Sequence, residues 1–116
     1  MNKRLVNLIE LSGNVRFYVP TTNNVNQAQD TASHVEKVEK LFSAWFGGAT
    51  QYDALGCWSS PAAGLVKEKV IIVESFCNEQ ALQANIESVV DLAERVKQEL
   101  SQESIAIEVN NRLYLV

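Results

Sequence analysis

The order of elements in this 116-residue chain predicts an α+β fold: a ferredoxin-like sandwich (βαββαβ) with an antiparallel sheet, two helices on one face and extra terminal strand(s). Three observations predict it. Residues 65–76, LVKEKVIIVESF, form the longest β-branched run and read as a strand buried on both faces in its middle. Two segments with helical apolar spacing each separate strand-like runs. Right-handed crossovers then place both helices on one side and set residues 15–19 beside residues 65–76 in the middle of the sheet.

Residues 5–11 fit either a helix face, through Leu5, Leu8 and Ile9, or a short strand ending at Ser12-Gly13-Asn14; the strand is favoured. Residues 15–19, VRFYV, form a strand stopped by Pro20, which has no amide hydrogen for a ladder. Asn26 with Gln29, or Asp30, offers a helix cap. The helix that follows runs to about Phe46, with Ala32, Val35, Val38, Phe42 and Trp45 on one face and Glu36, Lys37 and Lys40 opposite. Gly47-Gly48 ends it.

Residues 49–58 are polar for a strand and suggest an edge that forms a hairpin with 65–76 through SSPAAG. Asn78 caps the second helix, and Glu79 sits where the helix dipole favours an anion. Leu82, Ile86, Val89, Val90, Ala93, Val96 and Leu100 make its apolar stripe. Ile105, Ile107 and Val109 alternate with polar or small residues, Asn110-Asn111 suits a two-residue turn, and 112–116 pairs back.

Length and composition fit a single domain over 1–116, with 47% hydrophobic and 21% charged residues. The net charge of −4 opposes nucleic-acid binding. The charge is uneven: +2 in residues 1–20 and −6 in the remainder. No run approaches membrane-spanning length and no signal peptide is evident, which predicts a cytoplasmic protein with no membrane partner. Cys57 and Cys77 have no metal or redox spacing and read as two small hydrophobes of a reducing compartment, with a disulfide between them left open.

Chemistry-bearing residues are few. His34, the single histidine, has no Cys or Asp at metal spacing and reads as a surface residue. Ser59 and Ser60 could join His34 and Asp53 only on paper, because no nucleophile elbow frames either serine. Asp53, Glu68 and Glu74 are acid–base candidates that also suit solvated strand ends. No cofactor is implied. The strand 65–76 lacks the glycine and stacked aromatics of an RNA-recognition strand.

The uncovered sheet face carries the functional expectation. Arg16 and Tyr18 point away from the helices if Val15, Phe17 and Val19 point toward them. Placing Lys67, Lys69, Ile71 and Val73 on that face as well lets the lysine stems lie along the surface; the opposite parity would place Glu68, Val70 and Ile72 there. An apolar centre ringed by Arg16, Lys67 and Lys69 suggests a non-catalytic protein-interaction or self-associating module, a homodimer or a binder of another protein. The alternative is a sensor or cofactor-free enzyme that takes a small anion on this face, with Trp58 at the pocket rim.

The segments FGGAT (46–50), ALGCW (54–58), GLVKEKVIIV (64–73) and SQESIAIEVN (101–110) resemble small uncharacterised α+β proteins of bacterial phage and mobile elements. A wider pattern of similar uncharacterised domains falls on Gly48 and Thr50, Gly56 and Trp58, Gly64, Glu68-Lys69 and Val73, then Gln102-Glu103 and Ile105. The resemblance covers roughly residues 42–110 and implies the same α+β fold. It brings no assigned catalytic residue.

Overall fold

The computed structural model describes residues 2–21 and 31–116. Its elements are α1 (Lys3–Val6), β1 (Gly13–Pro20), α2 (Ala32–Phe46), β2 (Thr50–Ser60), β3 (Gly64–Cys77), α3 (Glu79–Glu99), β4 (Ala106–Val109) and β5 (Arg112–Leu115). The five strands form one sheet in the order β2-β3-β1-β4-β5, with every neighbouring pair antiparallel. β1 lies at the centre with β3 beside it.

The two long helices bury one face of this sheet. Val15, Phe17 and Val19 of β1 meet Val35, Val38 and Phe42 of α2 and Val89, Ala93 and Val96 of α3 in a single core. The Phe17 and Phe42 rings meet edge to face with centroids 6.1 Å apart, a geometry that suits the ring quadrupoles. α2 stops at Gly47, whose φ of 91° is the left-handed cap conformation that glycine enters without steric cost. Ser75 then fastens the following loop by donating to the Gly48 carbonyl oxygen at 2.6 Å. The Asn26 and Asp30 caps expected for α2 lie outside the described residues; the residue preceding the helix is Thr31.

α3 begins as its sequence demands, with Asn78 Oδ1 accepting from the Ala81 amide at 2.8 Å. β4 and β5 turn through Asn110 and Asn111, both at positive φ (52° and 67°), as a tight hairpin requires. Residues 5–11 do not form the expected strand. α1 is one helical turn, and the chain then runs without regular structure to β1; no strand among the described residues pairs with it.

The β2–β3 hairpin outruns the rest of the sheet. β1 pairs β3 only as far as Pro20 opposite Val70, whereas β2 stays paired to Gly64. Leu55, Cys57, Trp58 and Leu65 are exposed on this ribbon, and the molecule measures 54 × 27 × 20 Å.

Register overturns the expected parity of β3. Val73 stands opposite Phe17 and Ser75 opposite Val15, so the odd positions face the helices. Val73 is 0% exposed in the core and Ile71 packs against it. The open face instead receives Val70, Ile72 and Glu74. The reason is the protruding ribbon. At Lys67 and Lys69 the helix side of β3 faces water too, so lysines there say nothing about which side the helices cover.

Candidate functional site

Alternation brings two cross-strand rows together on the open face. The first runs Glu108–Arg16–Glu74–Thr50 across β4, β1, β3 and β2, and the second runs Tyr18–Ile72–Tyr52 across β1, β3 and β2. Directly opposed residues in antiparallel strands share a face and nearly touch. Each row is therefore a continuous line of side chains.

The first row is a charge network. Arg16 Nε donates to Glu74 Oε2 at 2.6 Å and Arg16 Nη1 donates to Glu108 Oε2 at 2.9 Å. Asn14 Nδ2 donates to the same Glu74 oxygen at 3.0 Å, and the Tyr18 hydroxyl donates to Glu108 Oε1. Hydrogen bonds to Glu74 and then Glu108 raise the Arg16 pKa above its ordinary value, so the guanidinium is a fixed cation. Burial, then the bond to Glu108, pushes the Tyr18 phenol up to about 12. One cation against two carboxylates leaves the network with a net charge of −1.

The second row is apolar and aromatic. Ile72 lies between the two tyrosines and is only 6% exposed, although it sits on the face without helices. Tyr52 stays accessible beside it. The face as a whole offers a negatively charged line flanked by a flat aromatic line. That suits a small organic cation with a planar group, since aromatic faces attract cations and stack on rings.

The residues expected at an interaction face are thus divided. Arg16 and Tyr18 are on the open face and touch the same carboxylate. Lys67, Lys69, Ile71 and Val73 are on the other side, so no basic pocket for an anion forms with Arg16. Trp58, opposite Val66, shares the open face's parity but lies out on the ribbon. It is six residues from Tyr52 along β2, roughly 20 Å at strand rise.

Glu74, one of three carboxylates noted as acid–base candidates, is in the network; Asp53 and Glu68 are outside it. Glu108, Tyr52 and Asn14 escaped notice, and Ile72 was reached only through the opposite parity of β3. The alternation of residues 105–109 already placed Glu108 opposite to the buried isoleucines, and the strand order would have set it next to Arg16. His34 is tied to α3 instead, its Nε2 lying 3.2 Å from Glu99 Oε1, which removes the paper triad. Both cysteines are free thiols, Cys57 exposed and Cys77 buried. Among the described residues no group of acidic, histidine or cysteine side chains could hold a metal ion. No described helix is long and apolar enough to cross a membrane.

No family model matches the chain, and no characterised protein matches it by sequence. Solved structures do match its fold. A phage SAM lyase in complex with S-methyl-5'-thioadenosine is similar over 94% of this chain and 92% of its own, with a TM-score of 0.65 and 13% identity. A phage SAM lyase in the apo state is similar over 94% of each chain, with a TM-score of 0.59 and 16% identity. The chain shares its fold with an enzyme of a small metabolite, and this overturns the expectation of a non-catalytic interaction module.

Proposed function

We propose that this protein is a SAM-binding enzyme of the lyase type, with its site on the open face at Glu74, Glu108, Arg16, Tyr18 and Tyr52. The observation that carries the reading is the coincidence of two things. The fold is that of a phage SAM lyase, and the open face joins a net negative charge network to an aromatic row. S-adenosylmethionine is a sulfonium cation with an ammonium group and a planar adenine. Its charges and its ring complement the two rows.

In this reading Glu74 and Glu108 hold the ammonium end, and the sulfonium lies over Tyr18, Ile72 and Tyr52. Breaking the bond from sulfur to the four-carbon arm returns its electron pair to sulfur and releases neutral S-methyl-5'-thioadenosine. An apolar surface favours this loss of charge because it solvates the cation less well than water does. Both carboxylates are already engaged by donors. That supports a route in which the ligand's own carboxylate forms the new carbon–oxygen bond. No proton or water then needs to be exchanged, and no cofactor is required.

Two further readings attach to this one. The strand order β2-β3-β1-β4 with two helices supports the ferredoxin-like sandwich, with β5 as the extra strand. The neighbours are phage proteins, which supports a phage or mobile-element origin, and a cytoplasmic substrate agrees with the placement expected from the sequence. Incubation with S-adenosylmethionine and chromatography of the products tests the function. Appearance of S-methyl-5'-thioadenosine supports it, and intact substrate with no binding by calorimetry refutes it.

A further inference from the structure

We infer that the groove between α3 and the β4–β5 hairpin binds a free α-amino acid with an apolar side chain. This does not rest on the chemistry proposed for the open face, because the groove lies on the helix side of the sheet. Ile107 is buried beneath the helices and Tyr114 stands opposite it, so both face α3.

The groove exists because two long helices cannot cover five strands, and the β4–β5 hairpin at the sheet edge is left over. Ile86 and Val90 of α3 and Val109 of β4 pack against the core but are only partly buried, and Tyr114 of β5 is exposed. With Glu94 and Lys97 they line a hollow of about 460 Å³, a size that suits a small metabolite. Ile86, Val90, Glu94 and Lys97 follow one another at spacings of four, four and three, so they form one line along a single side of α3. The first two positions of the line are apolar and the last two are charged.

The two charges select the ligand. Glu94 and Lys97 are close enough along the helix to pair, yet among the described residues neither takes part in an ion pair. A carboxylate and an ammonium held side by side, each without a counter-ion, complement a molecule that carries an ammonium and a carboxylate on one carbon. Glu94 meets the ligand's ammonium and Lys97 its carboxylate, and each contact is charge-assisted. From there Val90 is about one helical turn away, roughly 5.4 Å, which a branched aliphatic side chain spans. Ile86, Val90 and Val109 then remove that side chain from water. A peptide segment fits less well, since a residue inside a chain has neither charge and a chain end has only one.

Calorimetric titration of the full chain with L-leucine tests this. Leucine is expected to bind at or below millimolar concentration, with one site per chain. L-leucinamide lacks the carboxylate, isocaproate lacks the ammonium and glycine lacks the side chain; each should bind about tenfold more weakly or worse. Glu94→Gln and Lys97→Met should each weaken leucine by about tenfold. Neither residue is buried, so both variants should keep the wild-type circular dichroism. Wild type that takes up no leucine at millimolar concentration overturns the inference, the result that a groove filled by another part of the chain or by a second copy would give. So does leucine binding that survives both substitutions, or isocaproate that binds as well as leucine.

Discussion

Val73 and Glu74 are neighbours in the chain, yet one is sealed under the helices and the other is held by Arg16 on the open face. Val73→Asp would bury a carboxylate with no partner and should cost about 3 kcal/mol or more, read as a fall in the urea midpoint. Arg16→Met should cost about 1 to 2 kcal/mol, because it removes two cross-strand pairs and leaves two carboxylates uncompensated. Tyr18 adds a pH dependence. Its phenol, pushed from 10 up to about 12, is favoured in the protonated form by the fold. Its contribution is therefore complete below the unfolded value of about 10 and is lost as pH rises through about 12. In an ultraviolet titration, Tyr18→Phe should remove the ionisation near pH 12.

At the scale of elements, α2, α3, β1 and β4 were legible because their periodicity is set by burial on one face, β3 from its β-branched run, and β2 and β5, exposed along nearly all their length, from the turns beside them. Asn78 was legible as a cap for a local reason, the amides of the first turn needing an acceptor. Asn78→Ala should lower stability by about 1 kcal/mol, measurable by thermal or urea unfolding. The parity of β3 was not legible. Alternation gives two sets, and only contact with β1 and the helices says which is inside. The apolar middle of β3 made both sets suitable, and Lys67 and Lys69 misled because the ribbon there is wet on both sides. The segment 5–11 was misread because its apolar residues suit a strand, whereas Leu5, Val6, Leu8, Ile9 and Leu11 all stay exposed.

At the scale of the molecule, the candidate site depends on register between strands far apart in sequence. Glu108 reaches Arg16 across 92 positions and Glu74 reaches it across 58. Neither distance is encoded locally, so the reading from sequence found Arg16, Tyr18 and Glu74 separately and missed that they form one network. The sign of the face changed as a result. Arg16 counted alone suggested an anion site, whereas Arg16 between two carboxylates leaves a face that suits a cation.

The most direct measurement is the appearance of S-methyl-5'-thioadenosine from S-adenosylmethionine in the presence of the purified chain, followed by chromatography. Wild type is predicted to release it. Glu74→Gln and Glu108→Gln, checked by circular dichroism for an intact fold, are predicted to slow release by about tenfold or more through loss of the charges that hold the ligand. Substrate that stays intact with wild type, or release unchanged in both variants, would contradict the assignment of the open face as the site.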